Sequence, residues 1–334
     1  MHRGFIMKKI LILLFTVILI ASITGCKPSE DRQYDKYQEF YTTAEKEYEI
    51  PGLNDKFIPQ GLCYIEKANI IAISGYMDDN SASRIYLIDA KTGSSVKKVL
   101  IKNSDGTDYT GHGGGIVSYE DYLWISSSSY AHRISLLDLL NQNDKGYINI
   151  IDSFDTNTNA SFIYCKNNQL WVGEFYESKN YSTDESHHFL TADKKKQNAL
   201  ICIFDIDLSK PYGISSTVPL KAISITDKVQ GICITETDKI VLSISYGRKN
   251  DSYLYIYENI INKSDDAKIS IAGNDVGVLF LDSDHLVKVI KAPPMTEGLM
   301  DYADKVYILF ESAASKYIET SYYPQKNMIS IKID

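Results

Sequence analysis

The chain has 334 residues, 44% hydrophobic and 11% aromatic, with 35 basic residues against 43 acidic ones and a formal net charge of −8. That is enough for one large domain. The acidic balance gives no general attraction for nucleic acid or anionic lipid, so no nucleic-acid partner is expected, and cations or cationic ligands are easier to accept.

At the N-terminus, Lys8 and Lys9 form a basic region, and residues 10–21 are almost wholly apolar. That run is too short to span a bilayer comfortably and fits a signal segment, with Met7 a possible start. It ends in Ile23-Thr24-Gly25-Cys26, which resembles a bacterial lipobox. The resemblance implies that residues 1–25 are removed and that Cys26 carries a diacylglycerol. The protein would then be held by lipid on the extracytoplasmic face of the cell membrane. Losing Arg3, Lys8 and Lys9 and no acid moves the formal charge from −8 to −11. Residues 26–45 read as a polar tether, partly helical near 34–40, and residues 46–334 as the folded domain.

A motif then returns five times: a short polar turn, a Gly or its equivalent, and two apolar strands. The copies begin at Gln60-Gly61, Gly114-Gly115, Ser161-Phe162, Gln230-Gly231 and Glu297-Gly298, spaced by 54, 47, 69 and 67 residues. Repeats of this period, all strand and no helix, predict an all-β, five-bladed β-propeller, with a six-bladed ring as the alternative. The predicted strands are 61–65, 70–74, 84–89 and 96–101; 115–119, 123–127, 133–138 and 147–154; 162–165, 170–174, 199–205 and 220–225; and 231–235, 240–245, 253–258 and 285–291. Each is short, β-branched or aromatic, and bounded by turn residues. The fifth copy supplies only 298–302, 306–311 and 328–333. Residues 47–50 are expected to complete it, so that the last blade is closed by an N-terminal strand and no sheet edge is left open. Residues 177–198 and 259–277 are insertions, and residues 278–281 are expected to pair with 286–290 as a hairpin. The domain is expected to be a monomer.

Asp89-Ala90-Lys91-Thr92-Gly93 reads as a tight turn between outer strands. Cys63, Cys165, Cys202 and Cys233 lie in apolar strand patterns and read as buried free thiols rather than disulfides or a metal cluster. His112-Gly113-Gly114-Gly115 is similar to the oxyanion segment of some esterases, but no Gly-x-Ser-x-Gly elbow accompanies it. The glycines are better explained by crowding at the ring axis. Lys91-Thr92-Gly93 with Ser94 and Lys97 has the wrong order for penicillin-recognising enzymes. The acidic turns at Asp78-Asp79 and Asp265-Asp266, and the pair His187-His188, read as solvated loops.

In such a ring, the turn before each first strand and the loop after each second strand open on one face. This brings Gln60, His112, Ser161, Gln230 and Glu297 together with Tyr76, Tyr130, Glu174, Tyr176, Tyr246, Arg248 and Glu311. Tyr suits recognition of sugars or peptides. Arg248 is expected to face carboxylates. Glu174, Glu297 and Glu311 are the candidate metal ligands, and Glu297, Glu174, His112 and Arg248 the candidate catalytic groups. The repeated Gln-Gly and Glu-Gly starts resemble those of phytase-like, esterase-like and strictosidine-synthase-like propellers. That resemblance implies an axial divalent cation such as Ca²⁺ and metal-assisted hydrolase or lyase chemistry. The remaining matching positions here are Gln, Ser and Gly rather than acids. Three functions are therefore open: capture of a small polar ligand, glycan or peptide; metal-assisted hydrolysis; and docking of another envelope protein.

Overall fold

Five mainly antiparallel sheets form a ring in the computed structural model, which describes residues 30–333. The lipobox and Cys26 lie outside the described residues. The first blade runs from Phe57–Ile65 at the axis through Ile70–Met77 and Arg84–Asp89 to Ser95–Lys102. The second holds Gly115–Tyr119, Tyr122–Ser127, Tyr130–Ser135 and Asp152–Asp155. The third begins with Ala160–Lys166, Gln169–Glu174, Ala199–Asp205 and Lys221–Ile225. The fourth holds Val229–Ile234, Lys239–Ile244, Ser252–Glu258 and Leu286–Ala292.

The last blade joins the two ends of the chain. Thr296–Tyr302, Lys305–Phe310 and Asn327–Ile331 are completed by Ala44–Glu49, in the register Ala44↔Ile331. The ring therefore has five blades, not six. The closing strand also grips the first blade: the Tyr48 hydroxyl donates to Ala90 O at 2.6 Å, and its ring lies against Gly93. Gly93 has φ +73°, and Asp89 accepts from the amides of Lys91 and Thr92, which makes the expected tight turn.

Three expectations need correction. Residues 147–154 do not form one strand. Tyr147–Asn149 adds in parallel to the first blade, and only Asp152–Asp155 belongs to the second. Residues 278–281 do not pair with 286–290. Ala267–Ile271 and Asn274–Phe280 form a hairpin whose second strand lies parallel to Lys221–Ile225, extending the third blade to six strands. The apolar outer edge of that blade, Ala222 and Ile223, takes Val278 and Leu279.

The segment before the ring is also more ordered than a tether. It forms helices Glu30–Lys36 and Gln38–Thr43, and it buries Tyr37 and Phe40 completely. Tyr37 donates to Asp251 at 2.8 Å, and Lys36 pairs with the same carboxylate.

The core is apolar packing between neighbouring blades. The four thiols in the described residues are free. Cys63, Cys202 and Cys233 are buried, and burial pushes the Cys63 thiol up to about 12. At the axis the inner strands touch backbone to backbone. A Cβ on Gly61 would stand 2.7 Å from Ile116 N and 2.8 Å from Gly115 C. Neither atom can rotate away, so Gly61→Ala is expected to cost about 2–3 kcal/mol, read as a lower urea midpoint with an unchanged slope.

Candidate functional site

In four of the five blades the polar residue at the start of the repeat owes its position to a fault in the β-ladder. In the first blade Pro59 pairs with Gly75 and Gly61 with Ser74, so Gln60 has no partner. In the fourth, Val229 pairs with Ile244 and Gly231 with Ser243, omitting Gln230. Ser161 is omitted in the same way, and the last blade shifts register between Thr296 and Leu299, around Glu297. An unpaired residue of this kind turns its side chain out of the pleat. Here the turn is toward the axis, and after Gln60, Gln230 and Glu297 the following glycine admits the neighbouring inner strand.

These side chains open into one cavity of about 600 Å³ to which every blade contributes. Gln60, Gln230, Glu297 and Glu311 line it, with Tyr76 and His112 on one side and Tyr246 and Arg248 on another. The Tyr76 and His112 rings lie 4.3 Å apart, and the Tyr76 hydroxyl meets that of Tyr317 at 3.0 Å. A second aromatic wall is built from Phe175, Tyr181 and Tyr246, with Phe175 and Tyr181 edge to face at 5.2 Å. Ser161 is committed internally, donating to Asn159 O and accepting from Phe175 N.

The most unusual feature is a carboxyl pair. Glu297 is only 2% exposed and hydrogen-bonds directly to Glu311. Two carboxyls make that contact only by sharing a proton. Burial and the charge of Glu311 hold Glu297 well above the usual carboxylate range. Burial also raises Glu311, to about 7, against the lowering effect of hydrogen bonds from Glu297 and Gln60 and of the charges on Lys316 and Arg248. Gln60 Nε2 donates to Glu311 Oε2 at 3.1 Å and to Pro59 O at 2.9 Å. Burial, then Lys316, depresses His112.

Glu174 does not join this pair. It is 1% exposed under the third blade, where it accepts from Asn159 N and Leu200 N, both at 3.0 Å, and meets His187 Nδ1 at 2.9 Å. Burial alone would depress His187, but the hydrogen bond and charge of Glu174 outweigh it, and the imidazole is raised. Tyr130 opens the third strand of the second blade, is exposed, and stacks on His132. Tyr176 packs edge-on against His188. Neither lines the cavity. Arg248 does not face the carboxylates as a salt-bridge partner. Its Nη1 donates to Thr320 Oγ1 at 2.9 Å, and its guanidinium lies 4.8 Å over the Tyr317 ring.

The arrangement does not fit the axial cation that the family resemblance implied. The two acids spend a shared proton on each other, and Gln60 turns its amide nitrogen, a donor, toward them. Among the described residues no group of three or more His, Cys, Asp or Glu side chains is placed to hold a metal ion.

Tyr317 and Lys316 were not singled out by sequence reasoning. They lie in the long connection between the second and third strands of the last blade, and its run of Tyr317, Tyr322 and Tyr323 was the available signal. Tyr181 and Phe175 were missed because the insertion that carries Tyr181 folds back over the mouth. There Asn180 Nδ2 donates to the Tyr246 hydroxyl at 2.7 Å.

No protein-family model matches the chain, and no curated protein matches it. Among solved structures it is similar to the PQQ-bound form of aldose sugar dehydrogenase from Streptomyces coelicolor, at 13% identity and TM-score 0.48, over 87% of this chain and 98% of that one. It is similar to the glutaminyl cyclase of Myxococcus xanthus at 8% identity and TM-score 0.45, over 87% and 97%. It is also similar to an exo-β-1,3-galactanase from Phanerochaete chrysosporium at 8% identity and TM-score 0.46, over 86% of this chain and 63% of that one. Such likeness concerns the propeller architecture and does not extend to the site.

Proposed function

We propose that the axial cavity captures a small polar ligand, glycan or peptide in class, for a protein held at the cell surface. The observation that carries this reading is the cavity itself: about 600 Å³, fed by all five blades, walled by aromatic rings and floored by the carboxyl pair of buried Glu297 and half-buried Glu311, with Gln60. Aromatic walls with a few convergent polar groups are what a ligand pocket requires. Among the described residues Arg248, which lines the mouth, has no ion-pair partner, so its charge is not locked in a knot there. The test is thermal stabilisation by saccharides, amino acids and short peptides, with affinity measured for each that stabilises. A ligand at 100 times its dissociation constant adds about 2.7 kcal/mol to stability. Tyr76→Ala with Tyr317→Ala is expected to weaken binding at least tenfold. If no class of ligand stabilises the protein, the reading fails.

A second reading, acid–base catalysis, draws on the shared proton of Glu297 and Glu311, since a carboxyl that titrates near neutrality can give or take one at working pH. Turnover of an ester or glycoside that survives Glu297→Gln would remove it.

Attachment through lipid on Cys26 belongs to the same proposal. No helix among the described residues is long and apolar enough to cross a membrane. Only residues 27–29 separate Cys26 from the first helix, so the anchor would hold the propeller close to the bilayer rather than on a long tether. Cys26→Ser is expected to release the protein from the membrane fraction.

A further inference from the structure

The floor and the rim of the cavity ask for opposite things of a ligand. At the floor, both hydrogens of the Gln60 amide are committed, to Pro59 O and to Glu311, so Gln60 offers only its oxygen. Gln60 is 9% exposed and Glu297 2%, and each carboxyl has lone pairs beyond the single bond the pair shares. Buried acceptors of this kind call for a donor-rich, positively charged group.

The rim is the reverse. Lys316 is already paired with Asp78 at 3.0 Å. Arg248 has one hydrogen bond, to the Thr320 hydroxyl, and among the described residues no carboxylate lies within the 4.0 Å of an ion pair. Its guanidinium is held flat over Tyr317, and that loop is tied down by Tyr322 N donating to Arg248 O at 2.9 Å. A planar, pre-oriented guanidinium that lines a cavity and lacks an acid is a receptor for a carboxylate.

Resting on the reading of this cavity as a ligand site, we infer that its ligand is a zwitterion: a free α-amino acid or short peptide, whose ammonium is received by Glu297, Glu311 and the Gln60 oxygen and whose carboxylate meets Arg248. The aromatic walls between them would take side chains of varied shape. Ionisation of Glu311 as pH rises to neutrality would strengthen the ammonium contact, so binding should tighten from pH 6 to pH 7, before the peptides' own ammonium, with a pKa of about 7.7–8.0, begins to deprotonate.

The test uses L-alanine, dialanine and trialanine, with N-acetyl-dialanine and dialanine amide as partners lacking one charge each, by calorimetry on the soluble propeller domain with its N-terminal helices. At least one free zwitterion is expected to bind at least tenfold more tightly than either blocked form. Arg248→Met should lose most of the difference between dialanine and its amide while leaving the melting temperature unchanged, because the side chain is exposed. Equal binding of free and blocked peptides overturns the inference. So does binding of neutral saccharides without peptides, although the pocket reading then stands. If nothing binds, both fall.

Discussion

Glu174→Ala is expected to destabilise the protein by about 3–5 kcal/mol, as expected when one partner of a buried ionic pair is removed. The carboxylate is almost fully buried and receives two backbone amides, Asn159 N and Leu200 N, besides His187. Alanine leaves all three donors without their acceptor. The melting temperature should fall by several degrees. The loss should be uneven: residues 177–198, which carry His187 and Tyr181, are expected to gain hydrogen exchange and protease sensitivity first. His187→Gln removes only the ionic part and should cost less. Because the folded imidazole is raised, its share is complete below pH 6.5 and is lost as pH rises through the folded value. The Glu174→Ala penalty should therefore shrink somewhat in alkali but not vanish, since the two amides do not titrate. A variant that melts with the parent would show that Glu174 is not the clamp described.

Glu174 also shows where the sequence was legible and where it was not. The ring, its five repeats and its closure by the N-terminal strand follow from periodic patterns that local residues impose: alternating apolar positions, turn residues, and a glycine where backbones touch. The cavity residues at the repeat starts were legible for the same reason, since each ladder fault carries the same short signature. Glu174 ends the second strand of its repeat, where the loop toward the axial face begins, so it read as an axial residue. What diverts it is His187, thirteen positions later in an insertion without periodicity, and no local pattern announces that contact. The hairpin of residues 267–280 was misassigned on similar grounds. A parallel pairing has no turn to mark it, and nearness in sequence favoured the wrong blade. The helices before the ring were legible in part, near 34–40, but their packing was not: Tyr34, Tyr37, Phe40 and Tyr41 have helical spacing within a charged segment, and that spacing was the available signal for burial.

The carboxyl pair makes the second large prediction, in the opposite sense from most buried acids. Both folded values are raised, so between the ordinary carboxylate range and neutrality the folded protein binds protons that the unfolded chain has released. Stability from these groups is therefore greatest in acid and falls as pH rises. Above pH 6.5 the lowered His112 and His132 no longer oppose this trend. Raised Asp301, at about 6, and Asp227 act in the same direction as the pair. While Glu297 stays protonated only in the folded state, stability falls as pH rises, and Glu311 adds to the loss as pH rises through about 7. Glu297→Gln keeps the shape, donates an amide hydrogen to Glu311 and removes the titrating proton. Its urea-unfolding free energy should fall less steeply from pH 6.5 to 8.5, with the raised His187 and Glu311 still contributing, and exceed that of the parent at pH 8.5. Glu311→Gln should flatten the profile less, because Glu297 remains buried, although its strongest charged neighbour is gone. The neighbours that set these values, Gln60, Lys316 and Arg248, are unchanged in both variants, so a difference in slope belongs to the pair. Parent and Glu297→Gln profiles that run parallel from pH 6.5 to 8.5 would mean that no proton is shared at the cavity floor.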